Sequence, residues 1–106
     1  MSDRIDDLVA AAIVNGTTGT FITNRRCNGN VKNGAGDHSI TLDGGGIDST
    51  ECMTSVIARG AASVNVTVVH TSDTVKQILM WDNAGVAIDN IDFEVSFRRV
   101  AVGTAL

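Results

Sequence analysis

The 106-residue chain contains no proline and no tyrosine. Without proline no bend can lean on a fixed φ, so glycine and asparagine must make the turns. Aromatic residues are only 4% of the chain: Trp81, Phe21, Phe93 and Phe97. That set equips a sugar-stacking site poorly. Basic charge is scarce too. Eight Lys and Arg against twelve Asp and Glu leave a net charge of −4, with no stripe to neutralise phosphates, so nucleic-acid binding is not expected. The longest apolar run, Leu8 to Val14, falls far short of the roughly 20 residues of a bilayer span, so no membrane insertion is expected. Three acids surround the single Arg of the first seven residues, the reverse of a signal peptide. Synthesis and folding in a cytoplasm are expected, and the sequons at Asn15 and Asn65 then carry no weight. In that setting Cys27 and Cys52 are expected as reduced thiols, a disulfide between them being the alternative.

What is present is a globular balance, 43% hydrophobic and 19% charged, with room for one domain, residues 1–106, and a real core. Ile5, Leu8, Val9, Ala12 and Ile13 recur with helical spacing. A strand through Ala10 to Val14, stopped by Asn15-Gly16, fits the same residues, and both readings stand. From Gly16 onward the period is two. Strands are predicted at Thr20–Thr23, at His38–Asp43 with Ile40 and Leu42 inward, and at Ala62–Val69 with Val64, Val66 and Val68 inward. Met53–Arg59 and Lys76–Trp81 read as strands apolar on both faces, with Trp81 in the core. Val86–Ile88 is a short strand. The last strand turns Phe93, Val95 and Phe97 inward, then changes phase after Arg98-Arg99, which predicts a β-bulge there. Asn28-Gly29-Asn30, the segment Asn33 to Asp37, and Gly44-Gly45-Gly46 read as turns. The fold expected is an all-β antiparallel sandwich, jelly-roll-like or immunoglobulin-like, with residues 1–15 as an N-terminal helix or an oligomerisation segment.

The chemistry-bearing residues form no strong constellation. Asp37-His38-Ser39 has the residue types of a hydrolase triad, but neighbours on a strand point to opposite faces and cannot converge. Cys27, His38, Cys52 and His70 lack the close pairing of zinc ligands. Gly34-Ala35-Gly36 lacks the third glycine of a dinucleotide loop, and Gly44-Gly45-Gly46 lacks the P-loop lysine. Asp92 and Glu94, about 7 Å apart on one strand face, have a spacing that suits two glycosidase carboxylates; an acidic, solvated strand face is the plainer reading. Asp43, Asp48 and Asp73 have no EF-hand spacing. No catalytic residue, metal or cofactor is assigned.

One stretch is familiar. Val14-Asn15-Gly16-Thr17-Thr18-Gly19-Thr20, then Arg26-Cys27-Asn28, then Val31 to Leu42 through Asn33-Gly34-Ala35-Gly36-Asp37, resembles a segment of bacteriophage tail-fibre and related virion proteins. Phe93 to Arg98 is similar to the closing strand of such modules. His38 stands where those proteins usually carry Tyr, and Cys27 where they carry Phe. The resemblance implies a virion location after synthesis in a bacterial host. It also implies a homo-oligomer, with a trimer favoured, other virion proteins as partners and a host-surface glycan as a candidate ligand. Asn33, Gly34, Gly36 and Asp37 form its structural turn, a bend with two positive-φ positions. Ile5, Leu8, Val9 and Ile13 are the candidate interface residues. The expected function is thus non-enzymatic: assembly or host attachment, with a free-standing carbohydrate- or peptide-binding module as the alternative.

Overall fold

Phe93, Val95 and Phe97 alternate with Asp92, Glu94 and Ser96 along one strand, and the first set is buried. The same alternation organises the whole chain. The computed structural model describes residues 6–60 and 63–100. Eight strands follow one another: β1 (Asp6–Val14), β2 (Phe21–Arg25), β3 (Cys27–Gly34), β4 (Asp37–Leu42), β5 (Cys52–Arg59), β6 (Asn65–His70), β7 (Val75–Trp81) and β8 (Asp92–Val100). They form two four-stranded sheets, ordered β2-β1-β8-β5 and β3-β4-β7-β6. All neighbours are antiparallel. The protein is a β-sandwich. Its order is not that of the immunoglobulin fold, in which the first strand lies at a sheet edge; here β1 and β8 pair at the centre of one sheet.

The core lies between the sheets. One side gives Ala10, Ala12 and Val14 of β1 with Phe93, Val95 and Phe97 of β8. The other gives Ile40 and Leu42 of β4 with Ile78 and Met80 of β7, and Ile47 enters from a loop. Small and large alternate across the central pair, since Ala10 lies opposite Phe97 and Ala12 opposite Val95. This keeps the inner surface level enough for a second sheet to pack on it.

Residues 6–14 are strand, not helix. Ala10, Ala12 and Val14 bury at period two, and a central strand satisfies its backbone groups on both sides. That gain outweighs the helical spacing of the apolar residues. Ile5 lies outside the described residues. The bulge expected near Arg98-Arg99 sits across the ladder instead: Leu8 faces Arg98 and Ala10 faces Phe97, leaving Val9 of β1 as the extra residue. β8 runs without a break against β5, and Arg98 and Arg99 are simply exposed.

Three further expectations are corrected. Asn28-Gly29-Asn30 and Asn33-Gly34, read as turns, lie within β3; bulges at Asn28 and Asn33 let a Gly- and Asn-rich segment pair with β4. Val86–Ile88 is reduced to a single bridge from Ala87 to Trp81. Met53–Arg59 buries only one face, leaving Met53 and Ile57 60% and 61% exposed.

Candidate functional site

The segment Asn33 to Asp37 makes the β3–β4 hairpin. Only Gly36 has positive φ, at 61°; Gly34 keeps an ordinary strand conformation. The requirement at Gly36 is also one of space. A Cβ there would lie 2.5 Å from the carbonyl oxygen of Met80 and 2.7 Å from that of Ile88. The Gly36 carbonyl accepts from Met80 N at 2.9 Å, and Ile88 N donates to Met80 O at 3.2 Å. Asp37 holds side-chain amides rather than loop backbone: Asn33 Nδ2 donates to it at 3.1 Å and Gln77 Nε2 at 2.8 Å. Asn33 also reaches Ser39 Oγ at 2.9 Å. Asn33, Gly36 and Asp37 therefore form a structural clasp, while Gly34 ends β3 with open space beside it, and one positive-φ position, not two, makes the bend.

His38, between Asp37 and Ser39, points the other way and is buried. Its ring meets Phe93 edge-on at a centroid distance of 5.0 Å. Nδ1 lies 3.1 Å from Asn30 Nδ2, which also donates to Gly19 O at 2.8 Å. The amide is the donor, so Nδ1 serves as acceptor and the ring is held neutral. Burial first, and then the Lys32 charge, hold His38 below the ordinary imidazole value. Lys32 is itself paired with Asp89 at 2.6 Å.

Lys76 is a group the sequence reading missed. It lies on the core face of β7 in line with Ile78 and Met80 and is fully buried. Nζ donates to Ile47 O at 2.6 Å and to Ser72 O at 3.0 Å, fastening two loops at one end of the sandwich. The period-two row Lys76, Ile78, Met80 was the available signal. Trp81, expected in the core, has the opposite parity and is half-buried on the outer face.

Neither Cys27 nor Cys52 is in a disulfide. Burial, helped by Asp43, pushes the Cys27 thiol up to about 11, which makes it a poor nucleophile at neutral pH. Among the described residues no three of His, Cys, Asp and Glu gather where a metal could be held. Asp92 and Glu94 are engaged separately: Asp92 accepts from Gly16 N at 2.9 Å, and Glu94 pairs with Arg59 at 3.0 Å. At one pole Arg25, Arg26 and Arg99 line a cleft of about 480 Å³ with Asp43 and Gly44 to Gly46.

The most distinctive surface is the outer face of the β2-β1-β8-β5 sheet. Register sets its rows. Arg25, Ala11, Ser96 and Ser55 form one row across the four strands; Thr23, Ile13, Glu94 and Ile57 form the next; Leu8, Arg98 and Met53 form a third. The small side chains of the first row leave a shallow trough of about 320 Å³, bounded by Ile13 and Ile57 and by Arg25 and Glu94. Leu8, Met53 and Ile57 stand exposed around it. Of the expected interface residues, Leu8 and Ile13 lie on this face, put there by strand alternation rather than by a helix. Val9, the bulge residue, packs against the core. Met53 and Ile57 belong with this surface and were missed because an apolar run reads alike whether one face or two is buried.

No protein-family model, curated protein or solved structure matches the chain.

Proposed function

We propose that the protein is a non-enzymatic structural module of a bacteriophage particle that acts by assembly. It forms a homo-oligomer and meets other virion proteins, with attachment to a host-surface glycan as a second role of the same fold. The observation that carries this reading is the outer sheet face. Leu8, Met53 and Ile57 are exposed on one sheet face, set among Arg98, Glu94 and Ser55, and large apolar side chains exposed on one face favour association. The sequence resemblance in residues 14–42 supplies the particle context. Sedimentation or light scattering tests it: an oligomer at micromolar concentration is expected, and a clean monomer overturns the assembly role.

The trough between Arg25 and Glu94 favours a second reading, a free-standing module that binds a sugar or an extended peptide. That reading expects a monomer whose amide resonances at Ser55 and Ser96 shift on titration with such ligands.

A further inference from the structure

Edge strands are the places where a sandwich can grow, and two of the four edges are blunted by bulges. β2 has five residues and a bulge at Ile22. β3 is bulged twice; β6 pairs with β7 without a break but is two residues shorter than β5. β5 differs. It has eight residues, contains no lysine, and pairs with β8 in unbroken register. Among the described residues nothing pairs with its other side. Alternate residues of β5 therefore direct backbone N–H and C=O groups outward, ready for another strand.

We propose that this edge is filled by β5 of a second copy, antiparallel, about a two-fold axis through Ser55. The proposal rests on the assembly reading and names its partner and register. Such an axis, normal to the sheet, keeps the outer faces of both copies on one side, so residues of like parity meet. Met53 then lies beside the partner's Ile57, Thr54 beside the partner's Val56, and Cys52 beside the partner's Ala58. Ser55 meets the partner's Ser55 on the axis. Just beyond the strand, Glu51 comes opposite the partner's Arg59. Every one of these matches occurs twice by symmetry except the serine pair on the axis, which occurs once. Arg59 already holds Glu94 through Nε, but a guanidinium has five N–H donors, enough for a second carboxylate. Moving the axis one residue either way sets Met53 against the partner's Ser55 or the partner's Arg59 and loses the Glu–Arg match. The favoured register thus joins opposite charges at both ends and sets Met53 beside the partner's Ile57 on each side of a central serine pair. The result is one eight-stranded sheet across two molecules, with Leu8, Met53 and Ile57 of both copies exposed on the same side. The building unit is a two-fold pair, not a three-fold one.

The test uses the full chain. Ser55→Cys in a Cys52→Ser background places two thiols across the axis, at the short separation of a directly opposed strand pair. Mild oxidation is expected to give a covalent dimer, and Ile57→Cys in the same background is expected to give none. Glu51→Lys turns both end contacts into like-charge pairs and is expected to weaken the dimer at least about fivefold in sedimentation. Far-ultraviolet circular dichroism confirms that each variant is folded. A native oligomer whose Ser55→Cys variant does not cross-link and whose Glu51→Lys variant associates as before overturns the β5 pairing and leaves the assembly reading standing. A native monomer at high micromolar concentration overturns both.

Discussion

Gly36 and His38 are two residues apart and constrain the fold in different ways. At Gly36 backbone conformation and space agree, since φ is 61° and two carbonyl oxygens lie where a Cβ would sit. Gly36→Ala is expected to cost about 2–4 kcal/mol in urea denaturation. Gly45, open on all sides without positive φ, is expected to accept alanine within about 0.5 kcal/mol. His38 carries a pH dependence. Its folded pKa lies below the ordinary 6.5, chiefly through burial. His70 shifts the same way, through burial and then Lys76. The unfolded chain then takes up protons that the folded protein resists. Stability is therefore full above about pH 6.5 and falls as pH drops below it. Thermal melts from about pH 8 to about pH 5 are expected to show that decline, with a shallower slope in His38→Gln because the His38 contribution is removed while that of His70 stays.

Along each strand, parity decides what a substitution does. Phe97 is buried on the inner face of β8 while Ile57 of neighbouring β5 is 61% exposed. Phe97→Ala is expected to cost about 3–5 kcal/mol. Ile57→Lys is expected to change monomer stability by no more than about 0.5 kcal/mol, both read by chemical denaturation. Parity is also what made the strands legible. The alternation in His38–Asp43 and in Phe93–Phe97 sufficed to predict β4 and the inner face of β8. Legibility failed where a neighbour rather than the segment sets the conformation. β1 satisfies helical spacing and becomes a strand because β2 and β8 flank it. β3 carries turn residues and becomes a strand because β4 can pair with it around two bulges. The phase change beside Arg98 was read from sequence, but the extra residue, Val9, is on the partner strand, where no pattern along β8 could place it. Of the turn residues, Gly36 was legible as a positive-φ position, but Gly34 was not legible as the end of a strand. The outer face was legible only through Leu8 and Ile13, because exposure of Met53 and Ile57 depends on a sheet having no layer over it.

For the molecule as a whole, assembly would tie stability to concentration. Anything that binds the folded chain and not the unfolded one raises the apparent Tm by mass action. The melting midpoint of the native chain is therefore expected to climb as protein concentration rises, while that of Glu51→Lys is expected to climb less. Differential scanning fluorimetry over a dilution series measures both.

The central pairing of β1 with β8 also sets an order in time. Among the described strands β1 leaves the ribosome before the others and β8 after them, yet β8 lies between β1 and β5. Neither can complete its ladder until the final strand has been synthesised. The β3-β4-β7-β6 sheet has all its strands earlier in the chain, so it can form while the other waits. During that interval the apolar face that will meet Phe93, Val95 and Phe97 has no cover, and contacts so distant in sequence close slowly. A growing chain is thus most prone to misassociation just before β8 appears, and that one short segment joins β1 and β5 into a single layer.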